Sequence, residues 1–232
     1  MISRILFYCS FFLCFPASLA LADNNKSTLN RCESTSEKTE ISINTGEQGV
    51  QVSSQYTSKN LNTKSLSSLA GDFVVGLTSL ESRTVIDING PIWEDKTKEG
   101  ECFAAKIKIQ LIYLPIKVFV GSEFKEGSCS YNTILEHEML HVQLYKDSLA
   151  TIEKIIKDLM ERRFAGKPIY AEKNSARHML ENEIDEVWRP LIKSEFAKVQ
   201  IQQNELDSEE NISKVTWSCL GEIQSKFGYR YN

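Results

Sequence analysis

The run His137-Glu138-Met139-Leu140-His141 sets two imidazoles four residues apart, with a carboxylate next to the first. On a helix, residues i and i+4 share a face, so both rings can reach one ion while Glu138, on the flank, can take a proton from a nearby water. Those residue types suit zinc-assisted hydrolysis, because imidazole nitrogen is a common zinc donor and a carboxylate beside the ion can act as general base. The chain has only 3 histidines, so chance produces the pattern in roughly one chain in a few hundred of this composition. The plainer alternative is a pair of satisfied core histidines on a helix seam. It must find partners for both nitrogens of each ring, which a metal with acceptors behind it does more economically.

The motif needs a helix, and residues 129–164 supply the pattern for one. They contain no glycine or proline, and Ile134, His137, His141, Leu144, Ser148, Ile152, Ile155 and Leu159 recur at three- and four-residue steps. Ala165-Gly166-Lys167-Pro168 reads as a stop and a turn. A second helical pattern runs to about Leu206 through Leu180, Ile184, Trp188, Leu191 and Val199, with a kink expected at Pro190. The two patterns predict an antiparallel helical hairpin.

At the motif the chain resembles the H-E-x-x-H metallopeptidases, the zincins. In that group strands precede the active-site helix and an edge strand aligns an extended substrate; Ile116–Val120 sits where such a strand would fall. Over residues 102–219 it is also similar to uncharacterised exported bacterial proteins carrying this motif. The resemblance implies one Zn2+ ion, with His137 and His141 as ligands and Glu138 as general base, and a third protein donor beside an open position. The metzincin continuation would place that donor at Asp147, but Leu144 stands where its turn glycine belongs. With the helix continuing, Asp147 points about 100° away from the two histidines.

The gluzincin pattern takes a glutamate from a second helix. From Met139 to a turn centred on Lys167 is 28 residues, and 28 more reach Glu195, a carboxylate inside a mainly apolar stripe. Glu195 is therefore the expected third ligand. Glu183 competes because Asn182-Glu183 is faintly similar to the gluzincin asparagine-glutamate pair, and His178 because it is the remaining histidine. Hairpin counting puts both nearer the turn than the motif. Tyr131 and Tyr145 flank the motif and read first as packing residues.

Before this region, residues 41–128 read as mainly β. Ile41-Ser-Ile-Asn and Val50-Gln-Val-Ser alternate around Gly46 and Gly49 as a hairpin would, 83–89 alternate again, and 102–121 form the strongest strand region, with an edge or bend at Pro115. Residues 1–22 carry Arg4, an apolar run broken at Pro16, and a small-residue exit at Ala20-Leu21-Ala22. This predicts a signal peptide cleaved after Ala22 and a secreted or periplasmic protein with no membrane attachment. Residues 23–40 are polar and aperiodic, a flexible leader.

Cys32, Cys102, Cys129 and Cys219 would remain after cleavage, an even set that favours two disulfides in an oxidising compartment. Of the three pairings, Cys102–Cys129 with Cys32–Cys219 is preferred. The formal charge is −4, so there is no basic surplus to neutralise phosphates, and nucleic acid is excluded as a natural partner. The expectation is an α+β fold: an N-terminal antiparallel β region, then a long antiparallel helical hairpin (129–232) bearing the motif, with 41–232 as one domain. The function expected is an exported zinc metallopeptidase acting on peptide or protein. The alternative is a non-catalytic, disulfide-stapled binding or assembly module with a structural metal or none.

Overall fold

A computed structural model describes residues 32, 37–65, 74–164 and 166–227. The expected signal peptide and most of the leader lie outside them. In chain order come strands β1 (Glu40–Glu47) and β2 (Val50–Ser53), helix α1 (Ser58–Lys64), and strands β3 (Gly76–Ser79), β4 (Ser82–Asn89), β5 (Ile92–Glu94) and β6 (Gly100–Phe103). Strands β7 (Lys106–Tyr113) and β8 (Ile116–Val120), the long helix α2 (Cys129–Phe164), strand β9 (Ile169–Glu172) and helix α3 (Ala176–Glu183) follow. A π-helical turn (Ile184–Trp188) leads into α4 (Arg189–Leu206), then α5 (Glu209–Trp217), and a short 3-10 turn leads into α6 (Glu222–Phe227). The fold is mixed α/β.

Alternation along β7 turns Ile107, Ile109, Leu111 and Tyr113 to one buried face and leaves Lys106, Lys108 and Gln110 exposed. β7 is the middle strand of a sheet ordered β1-β7-β4, and β8 is the middle strand of one ordered β2-β8-β3. The two orders follow the same three chain segments, which are bent between the sheets. Pro115 has no N–H to continue the ladder and Gly49 takes φ +85°. The break is bridged by Gln48 N–H to the Tyr113 carbonyl, Ile116 N–H to the Gly49 carbonyl, and Leu114 N–H to the Glu81 carbonyl.

This continuity corrects the expected hairpin. β1 and β2 do not pair; each runs parallel to its neighbour, β7 or β8, while β3 and β4 pair antiparallel. The β region is therefore mixed rather than antiparallel. It also extends past residue 128, because β9 joins β5 and β6 in a third sheet. Ile116–Val120 is central, and the strands at its two edges are β2 and β3.

α2 lies across both bent halves of the sheet. Its Leu149, Ile152, Ile156 and Met160 pack with the buried face of β7 and with Ile184, Trp188, Ile192 and Val199 of the later helical segment. Nearer its start, Val142 packs with Ile116 and Val118, and Ile134 with Val120 and Phe124. Thirty-six residues without a helix breaker reach about 54 Å, enough to span the whole core. The chain turns past it at Gly166, in the left-handed region at φ +65°. The kink expected at Pro190 is taken up just before it by the π turn, which widens the helix where proline offers no N–H.

The disulfides join Cys32 to Cys102 and Cys129 to Cys219, which corrects the expected pairing of Cys102 with Cys129 and Cys32 with Cys219. Cys102 sits fully buried in β6, whereas Cys129 opens α2 beside the C-terminal segment, where Glu222 accepts a hydrogen bond from Ser130. Both bridges are compatible with an extracellular or periplasmic location. Among the described residues no helix is long and apolar enough to cross a membrane. The Cys129–Cys219 bridge closes a span of 90 residues, so replacing both cysteines by serine should lower stability by about 2–4 kcal/mol. A denaturant titration reads this as a lower midpoint; an unchanged midpoint would remove the bridge from the account of stability.

Candidate metal centre

α2 presents His137 and His141 on one face, as their spacing requires, and both are at least 90% buried. The partner brought to them is Asp207, the residue that ends α4. Its Oδ1 lies 3.1 Å from His137 Nε2 and 3.1 Å from His141 Nε2, and the two imidazole nitrogens are 3.3 Å apart. Among the described residues this is the group of histidine, cysteine and acidic side chains whose ligand atoms converge closely enough to hold an ion.

The triangle suits a tetrahedral zinc site. Donors at about 2.0–2.1 Å from one ion, at tetrahedral angles, stand about 3.3 Å apart. Three such donors leave one coordination position open, and the Asp207 side chain is 48% exposed, so the cluster has a solvent side.

Glu138 leans the other way, onto β3. Thr78 Oγ1 donates to its Oε2 at 2.7 Å and stands 3.2 Å from its backbone carbonyl. The carboxylate fits there because residue 76 is glycine: a Cβ at that position would come within 2.4 Å of Glu138 Oε1. On the far side of the cluster, Gln203 Oε1 meets His141 Nδ1 at 2.6 Å and its amide donates to the His141 carbonyl at 3.1 Å.

Comparison with known protein families, curated proteins and solved structures finds no match. The chemistry of the site is therefore read from its own geometry. Burial raises the Glu138 pKa, against the Thr78 hydrogen bond and the two histidines, which lower it. Burial opposes charge on His141, but the Asp207 hydrogen bond and charge outweigh it and raise its pKa. Partial burial of Asp207 is in turn overcome by hydrogen bonds from both histidines, which hold its carboxyl well below the usual carboxylate range.

The other candidates stand apart. Glu195 is buried, but its Oε1 is 2.6 Å from Lys198 Nζ and it does not join the cluster. Glu183 binds Arg163 through both oxygens and accepts from the Trp188 indole. Asp147 is exposed and accepts from Gln143; His178 is exposed beside Glu181. Tyr131 is a core residue packed with Val120 and Phe124, and Tyr145 stacks edge-on against Tyr113.

Asp207 escapes hairpin counting because the turn is not centred on Lys167. The contacts Arg163–Glu183 and His141–Gln203 are both centred on residues 172–173, since β9 and the bend after it intervene before α3 starts. A centre about five residues later moves the partner on the return helix by about ten, from Glu195 to the Gln203–Asp207 turn. The one available signal was Val199, Gln203 and Asp207 stepping by four.

Proposed function

We propose that this chain is an exported zinc-dependent metallopeptidase, with His137, His141 and Asp207 as the metal ligands and Glu138 as general base. The observation that carries it is the triangle of two imidazole nitrogens and one carboxylate oxygen, at the spacing a tetrahedral ion requires, with Glu138 next in sequence to one ligand. Two imidazole nitrogens and a carboxylate oxygen this close together need protons or a metal ion between them. The resemblance to the zincins at residues 137–141 favours zinc and peptide-bond hydrolysis. The antiparallel hairpin of α2 with the later helical segment belongs to the same reading, with His141–Gln203 near one end and Arg163–Glu183 near the other.

Zinc held there supplies Lewis acidity, polarising a scissile carbonyl and acidifying water. Glu138 does the proton work. Thr78 donates to its Oε2 and Gly76 lies against its Oε1, so as general base Glu138 would turn from β3 towards the ion to take the proton of the attacking water and return it to the leaving amine. Burial raises the Glu138 pKa above that of an exposed glutamate, which suits a group that must both take and give a proton. The outer edge of β3, which pairs with no other strand among the described residues and lies beside Glu138, is where an extended peptide would lie.

Metal content of the purified mature protein, together with hydrolysis of an unfolded protein substrate, tests this reading. Zinc near one equivalent is expected, with activity lost on chelation and restored by added zinc. Absence of bound metal and of micromolar zinc affinity would overturn the proposal. Retained zinc with no hydrolysis of protein or of cell-wall peptide would leave the alternative, a metal-stapled binding module.

A further inference from the structure

We infer that Gln203 is a positioning residue for the metal centre: it fixes which nitrogen of His141 carries the proton and so turns the other, bare, towards His137 and Asp207. The His141 backbone carbonyl can accept but never donate, so the Gln203 group 3.1 Å from it must be the amide NH2. That leaves no freedom in the amide's orientation, and the atom facing His141 Nδ1 at 2.6 Å is Oε1, an acceptor. Nδ1 must then donate, and in the neutral ring Nε2 is left with its lone pair.

Nε2 is the atom that stands 3.1 Å from Asp207 Oδ1 and 3.3 Å from His137 Nε2. A lone pair aimed at a carboxylate and a second imidazole is the arrangement a cation needs, and because Asp207 alone would draw the proton to Nε2, the bias towards Nδ1 has to come from Gln203. Gln203 is only 2% exposed, so no water competes for its amide. It grips one residue of α2 at two points, side chain and backbone, which sets the ring's rotation as well as its tautomer. Asp207, the residue that caps α4, lies four residues further along, so the end of α4 delivers both the support and the third donor.

The catalytic consequence rests on the metallopeptidase reading, but the tautomer does not, and the experiment separates them. Gln203→Met keeps the shape and removes the acceptor; Gln203→Glu keeps the acceptor and loses the amide donor. Nitrogen-15 shifts of His141 are read in the metal-free protein at alkaline pH, where the imidazole is neutral. Zinc affinity is read by chelator competition.

The expected result is an Nδ1–H ring in the unmodified protein and in Gln203→Glu, and loss of that preference in Gln203→Met. Zinc affinity should fall by about 10- to 100-fold in Gln203→Met and by less in Gln203→Glu. A packing role gives the reverse order, since methionine suits a buried site better than a carboxylate. An Nε2–H ring in the unmodified protein, or full zinc affinity and an unchanged tautomer in Gln203→Met, would overturn the inference while leaving the metal reading intact. A chain that binds no zinc but shows the Gln203-dependent tautomer would do the opposite.

Discussion

Glu138→Gln should lower the rate of peptide hydrolysis by about 10²–10⁴-fold while zinc stays bound. The substitution is close to isosteric, which matters because Glu138 is buried against Gly76 and a larger group has no room. A glutamine carbonyl oxygen can still accept from Thr78 Oγ1, so the contact between α2 and β3 survives. What disappears is the ability to take up a proton and give it back. His137, His141 and Asp207 keep their mutual distances, and zinc affinity should change little. The measurement is kcat on a quenched peptide library, with metal content and far-UV circular dichroism recorded on the same samples. Hydrolysis at the original rate, in a folded and zinc-loaded variant, would rule out Glu138 as the base.

The residues at the site differ in how far local pattern can reach them. His137 and His141 are legible because one helix positions both, and 36 residues without glycine or proline leave little else for that segment to be. The buried parity of β7 is legible for the same reason: alternation is a property of four or five consecutive residues.

Asp207 depends on the path between α2 and α4. β9 is four residues long and pairs with β6, more than sixty residues earlier in the chain, so no local periodicity announces it. Each residue it adds to the turn slides the return helix along α2. The pairing of β1 with β7 and of β2 with β8 is hidden in the same way, since a glycine between two alternating runs fits a hairpin and a bent continuous strand equally well. The disulfides are non-local again, and four cysteines allow three pairings before any geometry is known.

Asp207→Ala should weaken zinc binding by more than 100-fold, while Glu195→Gln leaves it unchanged. The magnitude follows from comparison: residues that merely support ligands cost about 10- to 100-fold when removed, so loss of a ligand must exceed that. Asp207 Oδ1 approaches both imidazole nitrogens equally, whereas Glu195 is engaged by Lys198. Proton competition gives the second arm of the test.

In the metal-free protein, against the burial of each group, the His141 pKa is raised by Asp207 and the Asp207 pKa is lowered by His137 and His141. The stability that His141 contributes is therefore present below the ordinary imidazole range and is lost as pH rises through its raised value. That of Asp207 is present above the ordinary carboxylate range and is lost as pH falls through its depressed value. Zinc must displace the His141 proton to bind, so occupancy should fall on acidification from about pH 7 to pH 4, at roughly tenfold in affinity per pH unit for one proton displaced. Removing Asp207 removes the main support for that proton, so Asp207→Ala should bring the His141 titration, followed by NMR, back down. A variant that binds zinc as tightly as the unmodified chain, or an occupancy indifferent to acid, would place the ion somewhere other than between these three side chains.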